Sequence, residues 1–416
     1  MLQHDWIVKH RPVIEVLALW LFCRMLMLFL VDLPGSDLPL YESIAARLSE
    51  GLTAYRDFPL DHPPVALFFI WLPSVLSGLS SYLISFRLIL VVCDLAILML
   101  LRHLACELSH EPSAGRSASA LYLWLTALLF PLVFDRIDLI PALLILLLVT
   151  AGHYRKWGIG YVLLVAGVGL NAGMFLLWPC WITSHVMLGK SGRRAIAQAA
   201  AAMAALTGLI WIGIEWAGSG FIRCLDYNWS RGVEIESFAG SFVLLARWFG
   251  FDAVVDFSTG AGRLAGPAVT FAGLIAVAVA AAVGIYAWFI VFRRTTRSCE
   301  TKCWISCGIL AHLLIFLLST MTFLPQFLLW LIPIVSLLFV VVSDKTGWGV
   351  LWIGVALFTT SVFPFNFGEL LRFEWWAVLL MISRNLCLLG LLFWTIRLWT
   401  NASSLRPLND TRSPLP

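Results

Sequence analysis

The chain has 416 residues, of which 61% are hydrophobic and only 12% are charged. Soluble proteins are about 45–50% apolar and about 25% charged, so this composition indicates a protein that lies largely in lipid. The net charge of +4 is too small to indicate a nucleic-acid partner. The nine Cys include no CxxC pair, and therefore indicate neither a zinc site nor a redox motif.

The first apolar segment follows Lys9 and Arg11, as the apolar part of a signal peptide would. It contains Glu15 and Arg24, however, and no small-residue cleavage site follows it, so we expect an uncleaved transmembrane helix. A helix needs about 20 apolar residues to span the hydrocarbon core. On that basis the predicted spans are 13–32, 83–103, 118–133, 138–152, 158–170, 173–188, 195–215, 267–292, 303–319, 326–342, 348–364 and 376–397.

The Lys residues set the predicted orientation, since all five fall in loops that alternate onto one face. By the positive-inside rule this face is cytoplasmic, which gives twelve crossings and places both termini inside. Residues 1–399 then form a single transmembrane domain with external loops 33–63 and 219–265, and 400–416 form a disordered cytoplasmic tail. The apolar stretch 64–77 is predicted to be re-entrant or interfacial, because a full crossing would break the charge alternation.

The loop 33–63 contains the first candidate for chemistry. Ser36 or Asp37 is suited to cap a short helix that ends near Glu50 and Gly51. Apolar positions at helical spacing predict that this helix lies on the membrane surface; they are Leu40, Ile44, Ala45 and Leu48. Asp37 would then lie at the mouth of a cavity that opens outward. The alternative is a simple helix cap in a solvated loop.

Other polar residues lie in or beside external loops, where charge close to the hydrocarbon core is costly and indicates pairing or function. Arg136 can instead neutralise Asp135 in a structural turn, Arg231 can pair with Glu234 on a helix, and Gln326 can cap backbone groups. The candidates for binding substrate are Tyr55, Arg56, Asp57, Asp61, His62, Asp135, Arg136, Asp138, Arg231, Glu234, Glu236 and Gln326.

Five motifs in order along most of the chain resemble those of the GT-C class of bacterial membrane glycosyltransferases, and in particular the family 87 mannosyltransferase-like group. The motifs are GLTAYRDFPLDHPP at 51–64, DRIDLIPALL at 135–144, RGVEIES at 231–237, LPQFLLWLIP at 324–333, and FPF at 363–365 with Arg384 and Asn385. The chain departs from the family pattern where a Lys is usual near Asn171, where Asp61 and His62 replace Glu-Tyr, and at Leu324. Because of these departures, the resemblance does not establish which substrate the protein uses.

The resemblance implies an all-α, GT-C-like bundle with an extracytoplasmic active site in the inner (plasma) membrane. It implies an inverting hexosyltransferase that uses a polyprenyl-phosphate-linked sugar, with mannose favoured, and a lipid or glycan acceptor. Asp37 would be the catalytic base, and a cation, first of all Arg231, would meet the departing phosphate. No cofactor is required by this chemistry, although a carboxylate-bound divalent ion is an open alternative.

Two other classes compete with this interpretation. A multi-pass transporter or lipid flippase would carry its ionisable residues near the middle of the membrane and often shows internal repeats. Here the acidic residues concentrate outside the spans, and the spans themselves hold few charges, such as Arg87 and Asp94. A lipid-dependent ligase or polymerase would rely on one large external loop in the C-terminal half. The concentration of polar residues in the first loop favours the transferase.

Overall fold

The structure is a computed structural model that describes residues 2–29, 36–76, 80–189, 191–230, 232–257, 262–294 and 303–400. In these ranges the chain is almost entirely helical, which confirms the predicted all-α membrane bundle. The α-helices are α1 (Leu2–Phe29), α2 (Leu38–Ser49), α3 (Pro64–Leu76), α4 (Tyr82–Ser109), α5 (Pro112–Leu128), α6 (Phe130–Val133), α7 (Leu139–His153), α8 (Trp157–Leu170), α9 (Trp178–Leu188), α10 (Gly192–Ala217), α11 (Ser219–Ser230), α12 (Phe238–Trp248), α13 (Pro267–Arg294), α14 (Trp304–Ser319), α15 (Leu328–Leu338), α16 (Lys345–Thr360), α17 (Phe367–Leu371) and α18 (Trp375–Thr400).

Four of the described helices are long and apolar enough to cross a membrane: α4, α10, α16 with its extension to Phe365, and α18. Other apolar helices are shorter, and three of them, α7, α14 and α15, lie inside the bundle with most of their side chains buried. A helix that is apolar on every face is suited to such a central position. The number of crossings and the orientation of the termini stay predictions, and the tail beyond Thr400 lies outside the described residues.

Several predicted spans have different bounds in the structure. The span 118–133 ends at Leu128, and the short helix α6 follows with Pro131 in its first turn. The span 173–188 starts as a 3-10 helix, Ala172–Leu177, before α9 begins. There the side chain of Asn171 accepts a hydrogen bond of 2.9 Å from the backbone N–H of Gly173 and so caps the start. The span 138–152 begins at Leu139, which leaves Asp138 in the preceding loop.

The predicted external loop 219–265 contains structure of its own. After α11 and α12, strands β1 (Val254–Asp256) and β2 (Arg263–Ala265) form an antiparallel pair in which Val255 faces Leu264. The segment 233–235 joins the edge of β2, because Leu264 donates a 2.7 Å bond to the carbonyl of Val233 and Ile235 donates a 3.0 Å bond to that of Gly262. This pairing joins the segment 233–235 to the two-stranded sheet.

A polar network lies buried between α1, α4 and α5. The guanidinium of Arg24 binds the carboxylate of Asp94 through two bonds, of 2.7 and 2.9 Å, and donates a third, of 2.8 Å, to Thr126. Trp20 and Tyr122 also donate to Asp94. Buried charges are tolerated when they are paired and hydrogen-bonded, so this network attaches α1 to its neighbours.

Candidate functional site

The side chains of Asp37 and Arg136 form an ion pair with a distance of 2.9 Å between Oδ2 and Nη1. Asp37 occupies the N-cap position of α2, but its carboxylate makes no capping hydrogen bond; the N–H of Leu38 is instead 3.2 Å from the hydroxyl of Ser36. The simple-cap alternative therefore does not describe Asp37. Its carboxylate is about one third exposed, whereas Arg136 is largely buried.

Helix α2 brings a second polar group to this pair. The predicted length of α2 is confirmed, but Leu40 is exposed, and the buried face consists of Leu38, Tyr41, Ile44 and Ala45. Leu48 is only partly buried. Burial, together with the charges of Asp37 and Asp138, raises the pKa of Tyr41 well above its usual value. Tyr41 stays neutral at physiological pH, so its hydroxyl can act as a hydrogen-bond donor.

The loop 134–138 sends its charged side chains to three different partners. Asp135 accepts a 3.0 Å bond from Arg87 of α4, and Asp138 accepts a 2.8 Å bond from the indole N–H of Trp330 in α15. Arg136 lies with its guanidinium carbon 5.6 Å from the ring centre of Phe363. The alternative in which Arg136 neutralises Asp135 is therefore wrong, because each of them pairs outside the loop.

Asp138 is the buried carboxyl of this group. Burial raises its pKa to about 7, and the nearby charge of Asp37 acts in the same direction, while the Trp330 N–H and Arg136 oppose the shift. Its protonated form is therefore favoured relative to an exposed carboxyl, so Asp138 can exchange a proton next to the Asp37–Arg136 pair.

Glu236 enters the same region from the loop 232–237. Its carboxylate lies 3.3 Å from the Nη1 of Arg384, whose guanidinium also donates to the backbone carbonyl of Glu236 and lies 4.1 Å from the ring centre of Phe323. Burial raises the pKa of Glu236, and the charges of Arg384 and Arg136 oppose this. Arg136 therefore lies within electrostatic reach of Asp37, Asp138 and Glu236.

Two further candidates, Glu234 and Gln326, are buried near these loops. The N–H of Glu234 donates a 2.9 Å bond to the carbonyl of Met321, which joins the 232–237 loop to the segment before Gln326. Gln326 lies in the 3-10 turn Pro325–Phe327 ahead of α15, and its Oε1 is buried without a hydrogen-bond partner among the described residues. Arg231 lies outside the described residues, so its predicted pairing with Glu234 stays a prediction.

The YRDFPLDH segment divides into an outer turn and an inner part. Asp57 accepts a 2.7 Å bond from the N–H of Thr53 and pairs with Arg56 at 3.1 Å on an exposed surface, which stabilises the turn itself. Asp61 is also exposed. The buried Tyr55 and the partly buried His62 face inward.

Those two inner residues connect the segment to α2. The Tyr55 hydroxyl donates a 2.6 Å bond to the carbonyl of His62, and the His62 ring lies 5.5 Å from the ring of Tyr41. Of this segment, Tyr55 and His62 therefore lie towards the Asp37 site, and Arg56 and Asp57 face solvent.

An apolar groove of about 770 Å³ begins beside this inner part. It is lined by Pro63, Pro64 and Val65, by α8 from Gly158 to Gly169, by α10 from Gln198 to Trp216, and by Phe221. The ring of Phe221 lies 5.4 Å from that of Tyr55. At 1.5 Å per residue the α10 wall is about 27 Å long, close to the thickness of the hydrocarbon core.

Sequence reasoning missed several residues that organise the site: Tyr41, Arg87, Trp330, Phe363 and Arg384. Tyr41 looks like an ordinary apolar position of its helix. Trp330, Phe363 and Arg384 belong to the motifs quoted above, and for Arg384 the charge within an apolar span was a further signal that could have placed it in the site.

No protein-family model matches the sequence, and no curated protein is similar enough to match it. Among solved structures, the chain is similar to the crystal structure of ArnT from Cupriavidus metallidurans bound to undecaprenyl phosphate. The similarity covers 95% of this chain and 77% of ArnT, with 13% sequence identity and a TM-score of 0.48. The class of this protein, a polytopic α-helical membrane bundle, is defined by its own sequence and helices.

Proposed function

We propose that this protein is an inverting glycosyltransferase of the GT-C type that takes a sugar from a polyprenyl-phosphate donor on the extracytoplasmic side of the inner membrane. The observation that carries the proposal is the meeting of three separate connections, at Asp37, at Arg136 with Asp138, and at Glu236. A cluster of acids and one arginine supplies a base and a phosphate ligand, which are the two groups that this transfer needs.

In the proposed reaction an acceptor hydroxyl attacks the anomeric carbon of the donor sugar. The bond from that carbon to the phosphate oxygen breaks, and its electron pair leaves with the lipid phosphate. Asp37 takes the hydroxyl proton, because its carboxylate is partly exposed at the start of α2 and is open to an acceptor. Inversion follows from the single displacement.

The departing phosphate needs a fixed cation. Arg136 is proposed for this role, because it pairs with Asp37 and its side chain is partly accessible, whereas Arg384 is fully buried against Glu236. Arg231, the first candidate from the sequence, lies outside the described residues. Tyr55, His62, Glu234 and Gln326 are proposed to bind the sugar or the acceptor, because they lie around the same region. Mannose as the transferred hexose, and a lipid or glycan as the acceptor, are part of this proposal through the motif resemblance.

The apolar groove is proposed to hold the isoprenoid tail. Its wall is almost wholly hydrocarbon, its length approaches that of the membrane core, and its end at Pro63 is next to His62, whose ring contacts Tyr41. A donor in the groove would bring its phosphate towards the Asp37 site.

The test is transfer from a radiolabelled polyprenyl-phosphate mannose in membranes that contain the protein or its variants. We expect Asp37→Asn to reduce transfer at least roughly a thousandfold, the loss typical of a general base together with its positioning, without lowering the amount of folded protein. Glu42→Gln is the matched control, since Glu42 is an exposed acid on the same helix. If Asp37→Asn kept wild-type activity, the assignment of Asp37 as the base would be wrong. A lack of transfer from any lipid-phosphate sugar by the wild type, with movement of lipid or solute across vesicles instead, would favour the transporter.

A further inference from the structure

Arg136 interacts with three carboxyl groups of the site. It pairs with Asp37 at 2.9 Å, and the carboxyls of Asp138 and Glu236 are close enough to interact with its charge. These two other carboxyls have strong donors of their own, since Trp330 donates to Asp138 and Arg384 to Glu236. An anion that entered the site could therefore attract Arg136 away from Asp37. Asp138 and Glu236 would still keep their own hydrogen-bond donors.

The Asp37–Arg136 pair conflicts with the role of Asp37 as a base. A carboxylate that accepts a charge-assisted bond from Arg holds a proton poorly, because its ionised form is stabilised. A lipid phosphate presents several charged oxygens to Arg and can bind it through two parallel bonds. Arg136 also has an alternative surface to rest on, because the ring of Phe363 lies below its guanidinium.

We propose that Arg136 exchanges partners during the reaction, pairing with Asp37 while the site is empty and with the donor phosphate when the lipid is bound. This inference rests on the proposed function. The donor itself then releases the base, so Asp37 becomes able to take the acceptor's proton only when a sugar is in place to be transferred. After transfer, Arg136 stays on the lipid phosphate until it leaves, and Asp37 loses its proton to water as the pair forms again.

Among the described residues, the charged and titratable groups that interact with Asp37 are Arg136 and Asp138 of the 134–138 loop and Tyr41 of α2. Glu236 interacts with Arg136, which in turn pairs with Asp37. If the exchange occurs, Asp37 is a weaker base in the free protein than in the donor complex. The pH profile of kcat/KM for the donor reports the free protein, and the profile of kcat reports the complex. The acidic limb of kcat/KM should therefore lie at lower pH than the acidic limb of kcat.

The first experiment measures binding and does not depend on transfer. Undecaprenyl phosphate and the uncharged undecaprenol are titrated into purified wild type, Arg136→Gln, Arg136→Lys and the control Arg116→Gln, with tryptophan fluorescence as the readout. Arg116 is exposed near the start of α5, at the opposite end of that helix from the 134–138 loop. We expect Arg136→Gln to weaken binding of the phosphate roughly 10- to 100-fold, Arg136→Lys to weaken it less, and undecaprenol binding to be unchanged.

The second experiment compares the acidic limbs of kcat and kcat/KM. In the wild type the two limbs should differ, and in Arg136→Gln they should coincide. Coincident limbs in the wild type, or unchanged phosphate affinity in a monodisperse Arg136→Gln, would overturn the exchange. Failure of the wild type to bind undecaprenyl phosphate at all would overturn the proposed function instead, so the two failures are distinguishable.

Discussion

Arg384 of α18 binds Glu236, 148 positions earlier in the chain, through both the carboxylate and the backbone carbonyl. Asn385 continues the contact, since its side-chain amide donates 2.8 Å to the hydroxyl of Ser241 and 3.3 Å to the carbonyl of Ser237. The C-terminal helix therefore holds the loop that carries Glu236 against the site. This contact explains why Arg384 and Asn385 occur next to each other in the motif.

The first prediction concerns that contact. Arg384→Ala leaves Glu236 buried opposite an empty space, which should lower the free energy of unfolding by about 3–5 kcal/mol. Adding Glu236→Gln should recover part of this loss, because the amide carries no charge to bury. Unfolding of detergent-solubilised protein, followed by circular dichroism, gives the double-mutant cycle. Additive effects of the two changes would show that the pair is not coupled.

The second prediction follows from the raised pKa of Asp138, about 7 in the folded protein against an ordinary value of 3.8. Between these values the folded state keeps a proton that the unfolded state has lost. The contribution of Asp138 to stability is therefore present below about pH 4 and is lost as the pH rises through 7. Its size is at most about 4 kcal/mol.

Asp138→Asn removes this ionisation and should flatten the dependence of the unfolding midpoint on pH between about 4 and 8. The wild type measured over the same range is the reference, and infrared difference spectra of the carboxyl stretch report its protonation directly. An unchanged pH profile in the variant would assign the titration to another group.

The sequence was sufficient to predict the helical membrane bundle, because lipid requires backbone groups to be satisfied within each segment and the apolar runs are long. It also named residues of the 134–138 and 231–237 motifs as candidates, and three of the described ones, Arg136, Asp138 and Glu236, lie close together. It did not predict that Arg136 pairs with Asp37 while Asp135 pairs with Arg87. Such choices depend on how helices pack, and local spacing makes neighbouring partners look equally available.

The sequence also did not predict which side chains are buried or which buried charges form pairs. The apolar spacing of α2 grouped Leu40 with Ile44 and Ala45, yet the residues buried in the bundle are Leu38, Tyr41, Ile44 and Ala45. Arg24 and Asp94 were visible as single charges in separate spans, and only the packing of α1 and α4 around α5 brings them together. Long-range polar pairs are decided by tertiary structure, which sequence periodicity does not encode.

The third prediction uses the Arg24–Asp94 pair. Asp94→Leu leaves a buried guanidinium with Thr126 as its remaining side-chain oxygen acceptor in the network, so it should destabilise the protein by about 3–5 kcal/mol. The double variant Arg24→Leu with Asp94→Leu buries no charge and should be more stable than Asp94→Leu alone. Thermal unfolding in detergent measures both. A double variant less stable than either single variant would mean that the network stabilises the bundle more strongly than an apolar replacement can.

The last prediction separates the apolar groove from the rest of the lipid-facing surface. Ala205 and Ala204 are exposed neighbours on α10, but only Ala205 lines the groove, since successive residues of a helix point about 100° apart. Ala205→Phe should exclude part of an isoprenoid tail. Losing the burial of one branched apolar group costs about 1.5–3 kcal/mol, so the KM for a polyprenyl-phosphate sugar should rise roughly tenfold or more, with kcat nearly unchanged. Ala204→Phe adds the same ring outside the groove and should leave KM at its wild-type value. Equal KM values for the two variants would mean that the tail lies elsewhere on the bundle.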